Sequence, residues 1–281
     1  MMRVPCGSWG SNEPRGSMMR STQRTQLARA YVLHQRPFRD SSLILEVFAR
    51  EQGRLTLFAH GARGLRSRFV TLQPFRPLLL SWSGRSEAPS LSAAERADAD
   101  PASASAAPAA PATTGACGSL PAAQLMSGFY LNELLLKLLA RHDPHPALFD
   151  VYESTLGQLQ SGSGPDVPLR RFETQLLHFL GYGLNLAAEA DTGEPVRADA
   201  YYQFQPGVHG FVVAEPASPG AIAGHVLHDL AAGEAPTAEA AQRQARALMR
   251  AALDHCLEGR ELASRSVARS LTAWTRRERR A

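Results

Sequence analysis

The stretch AYVLHQRPFRDSSLILEVFAREQGRLTLFAHGAR, residues 30–63, sets apolar side chains at alternate positions in three short runs. These are Tyr31 and Leu33, then Leu43, Leu45 and Val47, then Leu55 and Leu57. Successive strand residues point to opposite faces, so period two predicts half-buried β-strands. The breaks carry turn chemistry: Arg36-Pro37 through Asp40, Glu51-Gln52-Gly53, and His60-Gly61-Ala62-Arg63-Gly64. Working outward, Leu27 extends the first run, Leu78, Leu80 and Trp82 form a fourth, and Leu91–Glu95 can supply a fifth. Strands this close in sequence leave no room for crossover helices, which implies an antiparallel sheet curled into a small barrel.

Downstream the pattern changes. Residues 97–119, ADADPASASAAPAAPATTGACGS, hold too little apolar surface to offset the entropy of ordering them. Beyond them Leu125, Phe129, Leu131, Leu134, Leu135 and Leu138 recur mostly at three and four, the spacing of a buried helical stripe. Further helices are expected over Pro146–Leu159, Pro168–Leu180, Thr237–Leu257 and Glu261–Trp274, with one hairpin around Pro206-Gly207. The fold class is therefore α+β, a β-barrel at residues 25–96 followed by a mostly α-helical domain at 121–275 with a small hairpin near 200–214. A disordered leader is expected at 1–24, a disordered insertion at 97–120 and a basic tail at 276–281.

The 281 residues include 30 basic and 26 acidic ones, a net charge of +4 that leans toward polyanionic partners. No apolar run reaches the roughly 18 residues of a membrane span, so a soluble protein is expected. Cys6, Cys117 and Cys256 lie far apart and build no disulfide framework, which fits a reducing cytoplasm. The first residues lack the apolar core of a signal peptide, and a start at Met18 or Met19 loses nothing with an assignable role.

Catalytic signatures are missing. Lys137, the single lysine, lies inside the Leu-rich helix and not after a glycine-rich turn, so there is no phosphate-binding P-loop. There is no G-x-S-x-G elbow, no H-E-x-x-H helix and no dinucleotide-binding glycine pattern. His142, Asp143 and His145 stand between prolines in a loop, where polar residues are ordinary. His225, His228 and Asp229 can share a helical face, yet bring no further metal ligands into view. His255 and Cys256 are helical neighbours that point in different directions. No catalytic residue, metal or cofactor is expected.

The barrel arginines are more telling. Arg36, Arg39, Arg54, Arg63, Arg66 and Arg68 fall in or beside the expected loops, and no acidic residue interrupts positions 53–72. An unopposed basic stripe on a small barrel is the electrostatic footprint of a nucleic-acid backbone site. Phe38, Phe58 and Phe69 lie between the charges, where they can stack bases or simply belong to the core.

These residues also carry a resemblance. The stretch at 30–63, with LQPFRPLLLSW at 72–82, resembles the N-terminal domain of the bacterial DNA repair and recombination mediator family RecO. GFYLNELLLKLL, LFDVYESTL and LRRFETQLLHFLGYGLNL resemble its helical part in the same order, so the likeness covers roughly Gln26–Glu95 and Ser119–Leu271. It implies an OB-fold barrel and a helical domain in a non-enzymatic protein that binds single- and double-stranded DNA and anneals complementary strands. It further implies work with RecR and with the single-stranded-DNA-binding protein SSB, to load recombinase on SSB-coated DNA in the RecF pathway. Such a protein is cytoplasmic and gathers at the nucleoid during repair.

By resemblance the DNA-binding surface includes Arg36, Arg39, Arg54, Arg63, Arg66 and Arg68, and His60 where a lysine is more usual. An imidazole there should make DNA affinity sensitive to pH. The C-terminal tail of SSB would be held by Arg170, with Arg171 an adjacent candidate on another side of the helix. An arginine fork suits a terminal carboxylate; the alternative for Arg170 is a wet position at the helix start. Some relatives bind zinc through cysteine pairs where this chain reads AAEADTGEP at 187–195, so no zinc is expected and this segment should hold by packing. The alternative reading is a protein-interaction adaptor whose helical domain does the main work.

Overall fold

The computed structural model describes residues 24–64, 67, 69, 72–84, 86–97, 120–162, 164–234, 236 and 238–278. Residues 1–23 of the expected leader, residues 98–119 of the expected insertion, Arg66, Arg68 and residues 279–281 lie outside the described residues; Arg24 already begins the first strand, and residues 276–278 of the expected tail continue the last helix. Five strands, β1 (Arg24–Phe38), β2 (Ser42–Ala49), β3 (Gly53–Ala59), β4 (Leu78–Ser83) and β5 (Ser90–Arg96), form a closed barrel in the order β1-β2-β3-β5-β4. Neighbours are antiparallel except β3 and β5, which meet in parallel at Phe58 and Ser90.

The long β1 makes closure possible. Arg24–Ala30 pair with β4 and Ala30–Phe38 with β2, so one strand serves two neighbours in succession. A register slip between Thr25 and Ala28 bends it, with Leu27 at φ 50° donating its N–H to Ser81 Oγ at 3.0 Å. The turn expected at Arg36-Pro37 begins later, because β1 runs on to Phe38. Pairing with β4 stops at Ala30, so Pro37 lies where one side of the strand is open and a missing N–H does little harm.

Ala30, Val32, Leu45, Val47, Leu55, Leu57, Leu78, Leu80 and Trp82 point inward and fill the barrel. The alternate residues Tyr31 and Phe48, with Leu33, point outward into a second core. That core lies in the domain that carries the helices α1 (Leu125–Leu138), α2 (Pro146–Gln160), α3 (Asp166–Phe179), α4 (Gly224–Ala231), α5 (Glu239–Leu257) and α6 (Ala263–Glu278), the first five of which contribute to it. The expected hairpin is present as β6 (Tyr201–Gln205) and β7 (Gly210–Ala214), and β8 (Ile222–Ala223) makes it a three-stranded sheet. Neither α4 nor β8 was legible in advance, since eight and two residues are too short to display a period.

Barrel and helices are joined without a seam. The ring centroid of Phe149 on α2 lies 5.5 Å from Tyr31 and 5.3 Å from Phe48. Buried Asn132 donates to the Leu33 carbonyl at 2.8 Å and accepts from the Tyr152 hydroxyl at 2.6 Å, so both polar groups are satisfied at the junction. Arg29 pairs with Glu153 and Arg50 with Asp150, each at 2.8 Å. Gly53, at φ 70°, lets the β2–β3 turn press against the helical domain: a Cβ there would lie 2.1 Å from the Asp143 carbonyl oxygen.

The segment expected to hold by packing holds by hydrogen bonding as well. Buried Glu189 accepts from Thr192 Oγ1 at 2.6 Å and from the Tyr202 hydroxyl at 3.3 Å, while its N–H donates to Glu194 O at 2.8 Å.

Candidate nucleic-acid interface

Register decides which barrel side chains meet outside. Across β2 and β3 the outward pairs are Phe48 with Arg54, Glu46 with Thr56, and Ile44 with Phe58, in order along the strands. Phe48 is covered by the helical domain. The opposite end of the same face is open, and four of the expected DNA-binding residues gather there.

At that end the rings of Phe38 and Phe58 meet edge to face, 5.0 Å apart at 78°. The Arg39 guanidinium sits 5.3 Å from the Phe38 centroid, on a left-handed turn residue at φ 51°. His60 stacks on the other ring, 5.7 Å from Phe58 with planes 15° apart, and its Nε2 approaches Ser90 Oγ at 3.4 Å. The Arg63 N–H donates to Ser41 O at 2.9 Å, tying the β3–β4 loop to the β1–β2 turn. Exposed Arg36 lies two residues before Phe38 on β1, and therefore on the same side of the strand. Among the described residues no carboxylate pairs with Arg36, Arg39 or Arg63.

Exposed guanidinium groups around two half-buried rings and a stacked imidazole can neutralise phosphates while offering flat apolar surface to a base. Ser41 and Ser90, which fasten the two loops, carry no signal that sequence reasoning would have singled out.

Other expected contacts stand elsewhere. Arg54 lies on the covered part of the face with its side chain 15% exposed, 3.6 Å from Glu46. Glu46 also binds Arg141 at 2.9 Å and Thr56 Oγ1 at 2.8 Å. Arg54 O accepts the His142 N–H at 2.9 Å, so this arginine belongs to the joint between the units. Burial lowers its pKa from the ordinary arginine value, with Glu46 opposing and Arg141 reinforcing the shift. Of the two readings open for Phe69 the core one holds: its ring is buried in the barrel core and is closed to a base.

The expected tail site is also rearranged. Arg170 is not on a wet face; it is buried on α3, with contacts of 2.8 and 2.9 Å to Glu173, itself completely buried. Tyr130 donates to the same carboxylate at 2.6 Å. Burial raises the Glu173 pKa above the usual carboxylate range, while Arg170 and Tyr130 oppose the rise. Arg171 is exposed. Contrary to the expectation that it points away from Arg170, both line one cavity of about 310 Å³ with Thr174, Gln175, Leu186 and Leu230.

The histidine clusters are occupied in ordinary ways. His145 Nε2 lies 3.1 Å from Asp143 Oδ2, and His228 Nε2 is 2.8 Å from Val196 O. Among the described residues no three His, Cys, Asp or Glu side chains stand together as metal ligands. Nor is any described helix long and apolar enough to cross a membrane.

Comparison with known proteins bears on both units. The family described as "Recombination protein O N terminal" matches residues 19–99, and "Recombination protein O C terminal" matches residues 122–266. A protein of Laribacter hongkongensis named DNA repair protein RecO is 42% identical over 252 residues, covering 87% of this chain and 94% of that protein. Bearers of the same name from Alkalilimnicola ehrlichii and Methylococcus capsulatus are 42% and 39% identical, over 89% and 88% of this chain and 94% of each relative. An OB-fold-like barrel, a helical domain in the same order and identity sustained across both agree, and the chain belongs to the RecO family of DNA repair proteins.

Proposed function

We propose that this chain is a non-enzymatic mediator that binds single- and double-stranded DNA, anneals complementary strands and helps load recombinase on SSB-coated DNA. Arg36, Arg39, His60 and Arg63 form the contact surface, and Arg66 and Arg68, which follow β3 in sequence, are assigned to it by resemblance. The observation that carries the reading is the open end of the barrel, where Arg39, Phe38, Phe58 and His60 stack in sequence without an acidic partner. RecR and SSB are its protein partners, and the cavity under Arg170 and Arg171 is where the SSB tail docks. The work takes place in the cytoplasm, at the nucleoid during repair.

The test is annealing of two complementary oligonucleotides precoated with the cognate SSB, without ATP. Acceleration that vanishes when SSB lacks its acidic tail supports the mediator. Binding of DNA without acceleration favours the adaptor reading, in which the cavity at Arg170 and Arg171 is the working part. An isolated helical domain is a poor test between them, because it would expose Phe149 and Tyr152 where they cover Tyr31 and Phe48. The full chain with R39A and R63A separates the two readings without opening that core.

A further inference from the structure

Far from the barrel loops in sequence, α5 and α6 enclose a cavity of about 360 Å³ with a lining dominated by charge. Arg250 projects from α5, Arg269 from α6, and Arg260 from the turn between them. The acids present are Asp254 and Glu261. Asp254 is engaged by Arg265, which also lies against Tyr130 with its guanidinium 5.8 Å from the ring centroid. Arg260 is held in place by backbone, donating to Leu257 O at 3.0 Å and to Lys137 O at 2.6 Å. Arg250 and Arg269 are exposed, and among the described residues neither makes an ion pair or a side-chain hydrogen bond. With Arg265 and Asp254 cancelling, three arginines face one glutamate.

We propose that this cavity is a second nucleic-acid contact, taking the phosphodiester backbone of a single strand while the barrel end holds another. The inference rests on the DNA-binding reading above and deepens it, since bringing two strands together needs a place for each. The chemistry favours a phosphate backbone over an acidic peptide with an apolar end. The two leucines lining the cavity, Leu257 and Leu262, are both buried in the core, so the exposed side chains there are those of the arginines and acids. Two exposed guanidiniums, one from each helix, and a third fixed by backbone carbonyls in the turn suit delocalised anionic oxygens. Helix spacing places Arg265 and Arg269 one turn apart on α6, about 6 Å along its axis, so Arg269 extends the charge beyond the neutralised pair.

The test uses the full-length protein with R250A and R269A together, surface changes that leave the core untouched, and R250K/R269K as the charge-preserving control. Binding of a labelled oligothymidine is followed across salt concentrations, and annealing of bare complementary strands is timed. The slope of log affinity against log salt should shrink by about 1.4 for two lost single-strand contacts. Annealing should slow at least tenfold, and the lysine control should restore most of both. Unchanged slope and annealing rate, with R39A/R63A still impairing binding, would overturn the second site and leave the barrel site standing. Loss of binding to an acidic peptide with DNA behaviour intact would also overturn it, and make the cavity a protein site. If the unaltered protein binds no DNA, the underlying reading itself fails.

Discussion

Arg170 and Glu173 face each other across one turn of α3, with nitrogen and oxygen 2.8 Å apart and the carboxylate wholly inside the protein. A buried pair of this kind contributes little net stability when intact, yet removing one partner strands the other in a poor dielectric. R170A should therefore destabilise the fold by about 3–5 kcal/mol, measured by denaturant unfolding. Glu173 already titrates above the ordinary range, and without Arg170 its carboxyl should rise further. A group whose folded pKa is raised holds its proton longer in the native state, so the variant's deficit should be larger at pH 8 than at pH 5. R170M/E173L should recover most of the loss; an equal deficit at both pH values would show that the carboxyl is not its source.

That result bears on the proposed tail site, because weakened peptide binding by R170A would then mix lost contact with lost structure. Arg171 offers the cleaner test, being exposed and lining the same cavity. R171A should leave the melting temperature within about a degree and weaken binding of an acidic peptide with an aromatic C-terminal end about tenfold, the scale of one charge-assisted hydrogen bond. Unchanged affinity in the folded variant would remove Arg171 from the site.

The barrel arginines should divide into two kinds. R39A/R63A should weaken duplex binding and lower the salt slope by about 1.8, two phosphate contacts' worth, with stability nearly intact. R54A should do the reverse. Its guanidinium neutralises Glu46 in the joint, although Arg141 at 2.9 Å supplies some of the same charge. Loss of about 1–2 kcal/mol of stability with the salt slope preserved is expected for a partly buried pair. A salt slope that falls in R54A as much as in R39A would return Arg54 to the DNA face.

Why Arg39 and Arg54 part company was not legible in the chain, although each sits beside a turn glycine or aspartate in a basic stretch. Period two placed the strands, and Leu45, Val47, Leu55 and Leu57 were readable as one interior face. The same alternation puts Glu46, Phe48, Arg54 and Phe58 on the outside. It does not say that helices 100 residues later cover half of that outside. Burial of Phe48 against Phe149 and Tyr152 is a tertiary fact, and with it comes the conversion of Arg54 from a surface charge into part of a joint. The wet-face alternative for Arg170 fails for the same reason: a basic residue in the first turns of a helix looks wet until Tyr130 and Glu173 are seen around it. The long helices were readable because their stripes span several turns. The cavity between α5 and α6 was not, since Arg250, Arg260 and Arg269 come together through a turn and share no sequence motif.

Gly53 and Gly61 have nearly the same backbone, φ 70° and 69°, and opposite surroundings. Around Gly61 nothing lies within 4 Å of where a Cβ would be, whereas at Gly53 that atom would meet the Asp143 carbonyl oxygen at 2.1 Å. Alanine in a left-handed conformation costs roughly 1–2 kcal/mol by itself, so G61A should lose about that much. G53A must pay the same backbone strain and also push the β2–β3 turn away from the loop before α2, disturbing the His142 N–H bond to Arg54 O beside it. A loss of about 3 kcal/mol or more is expected there, with amide exchange quickening on both sides of the joint. If G53A and G61A prove equally stable, the close approach of barrel and helices at this turn is not holding the two units together, and the aromatic contacts of Tyr31 and Phe48 must do so with the Arg29, Arg50 and Asn132 bonds.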